Sequence, residues 1–241
     1  MTPGRRVTVA PSVYAAPLLE LGDAVRAAAD GGADALHLDL MDGHFVAPIS
    51  FGTLVVQAVR KATTLPLDAH LMVTNPGDHL GWLALAGIRT VTVHAEAFSG
   101  AGEGVAILRA IRAAGMRAGI AMRPGTPAAG VVDAFVGEVD HVLVMTVEPG
   151  ASGQPFVEAM LPKVAEVAQR FGPAVEVGVD GGIDVTTGLA CVAAGATYLV
   201  AGSAVFAHGP PGVAGAIARL KDLGRAGPEA PQGGWNAATR S

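Results

Sequence analysis

Short apolar, β-branched runs alternate along the chain with longer Ala- and Leu-rich runs of helical period. The pattern predicts strands at 7–11, 35–40, 67–72, 90–94, 118–122, 141–145, 175–180 and 198–201. Helices are predicted between and after them, at 17–29, 52–61, 76–86, 104–114, 128–135, 158–170, 185–194 and 212–223. Strict β/α alternation implies a parallel sheet. Repeated to this number within 241 residues, it fits an α/β protein of the (β/α)8 TIM-barrel class, a single domain over residues 1–224. A doubly wound open sheet is the competitor, but the first strand-to-helix connection lacks a G-x-G-x-x-G loop. The phrases "DGGADAL" (30–36), "LALAGIRTV" (83–91), "RAAGMRAG" (112–119) and "VAAGATYLV" (192–200) each place a glycine between a helix end and a new strand. Residues 225–241, "RAGPEAPQGGWNAATRS", read as a flexible C-terminal tail, with a docking role for Trp235 the less favoured alternative.

Composition narrows the function classes. Hydrophobic residues make up 51% of the chain and charged residues 15%, enough apolar material for a large core. A net charge of −5 without a basic block argues against nucleic acid as a partner. The single cysteine, Cys191, excludes an intrachain disulfide framework and a cysteine zinc cluster. No signal-peptide pattern and no long uninterrupted apolar run is seen, so the expectation is a cytoplasmic protein that does not enter a membrane.

The polar exceptions inside the apolar strands carry the chemistry. Side chains alternate faces along a strand. In "LHLDLM" this puts His37 and Asp39 on one face and Leu36, Leu38 and Leu40 on the other. In "LDAHLM" Asp68, His70 and Met72 share a face, and in "EVGVD" Glu176, Gly178 and Asp180 do. If those faces point into a barrel, His37, Asp39, His70 and Asp180 converge near strand C-termini, where barrel active sites lie. Alone, each histidine is better read as a hydrogen-bonded core residue, and each aspartate serves equally well as a turn or helix cap. Together they suit a divalent cation: Zn²⁺ or Fe²⁺ first, Mn²⁺ or Co²⁺ as alternatives. Asp68 falls one layer deeper, as support for the site or a structural residue. Asp42 is expected to hold its own loop. His44, His79, His94, His141 and His208 take structural or surface readings, with His94-Ala-Glu96 placed to line the mouth.

A second constellation is rich in glycine: "VEPGASGQPF" (147–156), "DGG" (180–182) and "AGSAVF" (201–206). Glycine lets backbone N–H groups approach an anion. Barrels often hold phosphate on the loops after their last two strands. Gly182, Gly202 and Ser203 fit that description; tight turns alone are the plainer explanation. A cation, two carboxylates and a phosphate anchor point to a phosphorylated ketose. The cation would act as a Lewis acid and stabilise an enediolate. One carboxylate would remove the proton α to the carbonyl and the other would return a proton to the opposite face. Met41, Met72 and Met145, at the ends of three strands, would form a collar limiting water, although each alone reads as core filler.

These phrases resemble the ribulose-phosphate 3-epimerase family, from "VAPS" (9–12) through "HLDLMDGHFV" (37–46), "LDAHLMV" (67–73), "VLVMTVEPGASGQPF" (142–156) and "VGVDGGI" (177–183) to "LVAGSAVF" (199–206). The resemblance implies a metal-dependent isomerase interconverting D-ribulose 5-phosphate and D-xylulose 5-phosphate. It implies metal ligands at His37, Asp39, His70 and Asp180, with Asp39 and Asp180 as paired acid–base catalysts. It further implies substrate contacts at Ser12 and His70, phosphate contacts at Gly150, Gly153, Gly182, Gly202 and Ser203, and a homo-oligomer, dimer or hexamer. Three departures fall on the pocket rim. Ala47-Pro48-Ile49-Ser50 stands where the family reads Pro-Asn and then Ile or Leu. Pro149-Gly-Ala-Ser-Gly-Gln154 stands for Pro-Gly-Phe-Gly-Gly-Gln, and Val13-Tyr14-Ala15-Ala16 for a Leu-Ser-Ala-Asp type of run. An epimerase specialised for a six- or seven-carbon ketose phosphate is therefore one alternative, and a non-catalytic phosphosugar-binding relative another. Decarboxylase and Schiff-base aldolase readings are disfavoured. Met41 stands where a decarboxylase motif needs lysine, and Lys61, Lys163 and Lys221 all fall in helical context.

Overall fold

The computed structural model describes residues 6–207 and 209–225. Eight strands are β1 (Thr8–Pro11), β2 (Leu36–Met41), β3 (Leu67–Met72), β4 (Thr90–His94), β5 (Arg117–Met122), β6 (His141–Met145), β7 (Glu176–Asp180) and β8 (Tyr198–Ala201). The helices are α1 (Leu21–Asp30), α2 (Thr53–Ala62), α3 (Leu80–Leu85), α4 (Ala101–Ala113), α5 (Ala128–Phe135), α6 (Leu161–Phe171), α7 (Val185–Ala194), α8 (Ser203–Phe206) and α9 (Pro210–Asp222). All strand pairs are parallel and run in the order β1-β8-β7-β6-β5-β4-β3-β2. A parallel bridge from Ser12 to His37 brings the two ends of that order together. Asp34 stitches the same seam lower down. Its backbone N–H donates to the Val9 carbonyl at 3.0 Å, and its carboxylate accepts from the Val9 N–H at 3.0 Å. The result is the single-domain TIM barrel expected from the alternation.

The strands match their predicted spans to within one residue at either end. The helices differ more at their starts. Prediction begins the first at residue 17, but Leu18–Glu20 forms a 3-10 turn and α1 follows at Leu21. Residues 76–86 likewise divide into a 3-10 turn (Pro76–His79) and α3, and 158–170 into a 3-10 turn (Glu158–Met160) and α6. Residues that favour a helix start sit on these tighter first turns: Pro76 and Asp78 on the one, Glu158 on the other. The recurrent helix-end glycines have a common cause: Gly32, Gly87, Gly115 and Gly195 have φ of 84°, 73°, 82° and 116°. Residues with a Cβ rarely adopt that region.

The outward faces of the strands build the main core. Leu36, Leu38 and Leu40 join Val25, Ala28, Val56 and Val59 of α1 and α2 in one buried cluster. A smaller cluster fills the barrel itself, with Ala10, Ala121, Leu143, Met145, Tyr198 and Val200. Hydrophobic burial at about 25 cal/mol per Å² drives both. The inward positions therefore hold the polar residues apart from solvent at the two ends of the barrel. Among the described residues, no helix is long and apolar enough to cross a membrane. His208, Trp235 and the tail beyond residue 225 lie outside the described residues.

Candidate active site

Four inward side chains meet at the C-terminal end of the barrel. His37 and Asp39 come from β2, His70 from β3 and Asp180 from the last position of β7. The ladder aligns Asp39 directly with His70, and the next inward pair, Met41 with Met72, lies one layer above. His37 Nε2 is 3.3 Å from Asp39 Oδ1 and 3.8 Å from Asp180 Oδ2; His70 Nδ1 is 3.2 Å and 3.7 Å from the same two oxygens. One donor atom from each of the four residues fits within a span of 4.8 Å. That compactness is what a single cation requires of its ligands.

The donor set fits such a cation for a further reason. His37 is 2% exposed, yet neither of its ring nitrogens has a hydrogen-bond partner; its 3.3 Å approach to Asp39 lacks hydrogen-bond alignment. A buried, unpartnered imidazole beside two carboxylates is costly unless something else satisfies it. No lysine or arginine is among the four residues. Without added positive charge, burial together with the charge of Asp39 pushes Asp180 up to about 7. Burial opposes a charge on His37, but Asp39 and, farther off, Asp180 carry it up to about 9. Burial also opposes the charge on Asp39, but His37 and His70 hold it below the usual carboxylate range. His70 is driven down to about 4, chiefly by burial.

Ser12 is buried beside this cluster and donates to Asp39 Oδ2 at 2.6 Å. The second strand thus presents one carboxylate oxygen to the imidazoles and the other to a hydroxyl. Met41, Met72 and Met145 are 5%, 2% and 3% exposed and line the same cleft, so the three expected at one level do lie there. Tyr14 also lines the cleft and packs edge-on against Phe51.

The glycine-rich loops form the opposite wall. Gly150, Gly153, Gly182, Gly202 and Ser203 all border the cleft with Asp39 and Asp180. Gly182 has φ 64°, and a Cβ there would come within 2.7 Å of the Phe156 nitrogen, so the β7 loop closes onto the β6 loop only with glycine. The altered "PGASGQ" stretch is braced from within: Gln154 Nε2 donates to the carbonyls of Glu148 (2.7 Å) and Ala151 (3.0 Å). The departure after Phe45 is also accommodated. Ser50 Oγ donates to the Asp39 carbonyl at 2.5 Å and accepts from the Met41 N–H at 2.9 Å. Asp42 holds its loop as expected, accepting from the N–H groups of His44 (2.8 Å), Phe45 (2.7 Å) and Thr74 (2.8 Å).

One residue given a structural or surface reading proves to be joined to the site. His94 is fully buried, with Nε2 2.9 Å from His70 Nε2 and Nδ1 2.9 Å from Glu96 Oε2. The spacing His-Ala-Glu at a strand end was the available signal, but nothing in the sequence says which imidazole it faces. Asp68 does not reach the cluster; it pairs with Tyr198 and Arg89 at the other end of the barrel. Two of the lysines are also accounted for: Lys163 Nζ donates to three backbone carbonyls and Lys221 Nζ to Gly32 O and Asp34. Neither is free to form a Schiff base in the cleft.

Comparison with known proteins gives a family match. The model of the ribulose-phosphate 3-epimerase family matches residues 8–206. The ribulose-phosphate 3-epimerase of Bacillus subtilis (strain 168) is 40% identical over 83% of this chain and 92% of its own length. That of Mycobacterium bovis is 42% identical over 88% of this chain and 91% of its own. Among solved structures, a 3-hexulose-6-phosphate synthase aligns with a TM-score of 0.65 over 90% of this chain and 99% of that one. At 19% identity, that likeness shows the fold alone.

Proposed function

The chain belongs to the ribulose-phosphate 3-epimerase family and is a ketose-phosphate 3-epimerase, and on that premise we propose that it interconverts D-ribulose 5-phosphate and D-xylulose 5-phosphate. The carrying observation is the pair of carboxylates, Asp39 and Asp180, delivered to one cleft by strands separated by β1 and β8. Inverting a carbon through a planar intermediate requires proton transfer on both of its faces. Two carboxylates on different strands can serve one face each, whereas two on one strand would crowd the same side.

His37, Asp39, His70 and Asp180 would hold one divalent cation, with Zn²⁺ or Fe²⁺ the favoured ions. When bound, that ion supplies Lewis acidity for the negative charge that develops on the substrate's oxygens. Asp39 and Asp180 serve C3 from its two faces, one taking up the proton that leaves and the other, itself protonated, delivering a different proton to the opposite face. Ser12, through its 2.6 Å bond, orients Asp39 and lies close enough to the cleft to meet a substrate hydroxyl. Met41, Met72 and Met145 keep water from the reacting carbon. Backbone N–H groups around Gly150, Gly153, Gly182, Gly202 and Ser203 receive the phosphate. With this reading goes a cytoplasmic homo-oligomer, dimer or hexamer, which sedimentation of the purified chain and cell fractionation would test.

The second reading, a longer ketose phosphate, rests on one observation: Ala151 and Ser152 border the cleft and are exposed, leaving room over the pocket. The cation-loaded protein should be assayed on ribulose 5-phosphate, allulose 6-phosphate and sedoheptulose 7-phosphate in deuterated water. The pentulose reading expects the highest kcat/KM with ribulose 5-phosphate and deuterium entering at C3. A higher value with either larger ketose would replace it.

A further inference from the structure

We infer that Glu96 and His94 are positioning residues that favour the Nε2-protonated tautomer of His70, the one that frees its Nδ1 nitrogen for a cation beside Asp39 and Asp180. The inference rests on the cation reading above and deepens it. A carboxylate stands at each end of the hydrogen-bond chain: His70 Nδ1 is in hydrogen-bond reach of Asp39 Oδ1 at 3.2 Å, and His94 Nδ1 of Glu96 Oε2 at 2.9 Å. Glu96 Oε1 accepts from the Arg123 backbone N–H at 2.8 Å and from the Thr126 hydroxyl. A carboxylate receiving donors in this way acts as an acceptor. The proton between Glu96 Oε2 and His94 Nδ1, 2.9 Å apart, therefore belongs to His94. A neutral imidazole protonated on Nδ1 has its lone pair on Nε2. His94 Nε2 can then only accept, so any proton in the 2.9 Å contact between the two imidazoles is one that His70 Nε2 supplies. With neutral rings, two protons serve three contacts, so either His70 Nδ1 donates to Asp39 Oδ1 at 3.2 Å or His70 Nε2 donates to His94; a cation held at Nδ1, which also lies 3.7 Å from Asp180, takes the first option away, and His94 accepts the proton then left on Nε2.

The geometry suits this role. The planes of His70 and His94 differ by 24°, and their centroids stand 5.0 Å apart against 2.9 Å between the nitrogens, so the rings meet edge to edge. Both are fully buried, which shields the shared proton from bulk solvent. Phe45 packs on His94 at 4.9 Å, and the Arg123 guanidinium lies 4.3 Å over Phe45 while donating to its carbonyl at 2.9 Å. Lys163 then clamps the loop that supplies the donors to Glu96, through the carbonyls of Arg123 (3.0 Å), Pro124 (2.6 Å) and Thr126 (2.7 Å). A partner that fixes the outer nitrogen of a ligating histidine raises the affinity of the inner one for metal.

Zinc affinity of the full chain, measured by competition with a chromophoric chelator, tests this. His94→Phe keeps a ring but removes the acceptor, and is expected to weaken zinc binding by about 10–100-fold. His94→Gln can accept from His70 and donate to Glu96, and is expected to restore most of the affinity. Nitrogen-15 spectra of the metal-free chain should show His70 sharing its proton between Nε2 and Nδ1, and a shift toward Nδ1 in His94→Phe, where only the Asp39 contact remains. A packing role predicts the reverse order, because phenylalanine packs on Phe45 better than glutamine does. Unchanged zinc affinity in folded His94→Phe, or no rescue by glutamine, would overturn the inference. A wild-type chain that takes up no zinc while Asp180→Asn behaves identically would instead remove the cation reading itself.

Discussion

The two ends of the barrel both bury carboxylates, and they neutralise them differently. At the N-terminal end, polar residues occupy first positions of strands: Arg117 of β5, His141 of β6, Glu176 of β7 and Tyr198 of β8. Glu176 lies 3.1 Å from the Arg117 guanidinium and 3.4 Å from His141. Asp68 accepts from the Tyr198 hydroxyl at 2.5 Å and lies 3.4 Å from Arg89. Two carboxylates thus meet two guanidiniums, and the end is neutral without outside help. At the C-terminal end Asp39 and Asp180 meet two imidazoles and the Ser12 hydroxyl, with no guanidinium paired to either among the described residues. Burial would raise Glu176, but His141 and Arg117 hold it down at about 2, while Asp180 rises to about 7. The contrast marks one end as scaffold and the other as a receptor for positive charge.

The largest expected effects break the charged pair at the C-terminal end. Asp39→Asn and Asp180→Asn should each lower kcat by about 10²–10⁴-fold, the range of acid–base help. Their metal-free folds should persist, as read by circular dichroism, because neither aspartate is paired with a guanidinium. Removal of the cation comes next. Chelation should abolish turnover and lower the melting temperature, and cation at about 100 times its Kd should restore about 2.7 kcal/mol of stability. The affinity should climb as pH rises from about 7 to about 9, since Asp180 and His37 must release protons to bind. Affinity that falls over that window would contradict the assignment of both residues as ligands.

At the N-terminal end the same class of change should act on stability alone. Asp68→Asn disturbs the buried bond from Tyr198 and the contact with Arg89, and should cost about 1–3 kcal/mol in urea unfolding. Turnover per folded molecule should stay within about twofold, since Asp68 does not border the cleft. The smallest effect concerns acid. Because the pKa of Glu176 falls from 4.5 to about 2 on folding, its contribution is complete above about 4.5 and is lost as pH drops toward 2. Glu176→Gln should flatten that part of the acid-unfolding curve of the metal-free chain. An unchanged acid limb would show that the Arg117 pair does not couple to folding.

Much of this arrangement was legible in local pattern. Period-two alternation sorted His37 and Asp39 from the three leucines of β2, and put Asp180 on the inward face of β7, because the pleat of a strand fixes side-chain parity residue by residue. Glycines at helix ends marked the repeats, because only they take the left-handed backbone without strain. The 3-10 turns before α1, α3 and α6 were not legible, since the same acidic residues and prolines open either kind of helix. Nor was the role of His94. Its parity was readable, but its partner His70 lies on another strand, and parity says nothing about register between strands.

By itself, then, the sequence determined the alternating elements, the inward set of each strand and the chemistry of the residues in that set. Only the tertiary structure decided that Asp39 stands level with His70, that Asp180 closes onto His37 across the seam of the barrel, and that Asp68 belongs with Arg89 and Tyr198 at the far end. The reason is one of range. Parity is set by a residue's own φ and ψ, whereas register and closure are set by the sum of contacts among eight strands and their helices, and no short window of sequence contains that sum.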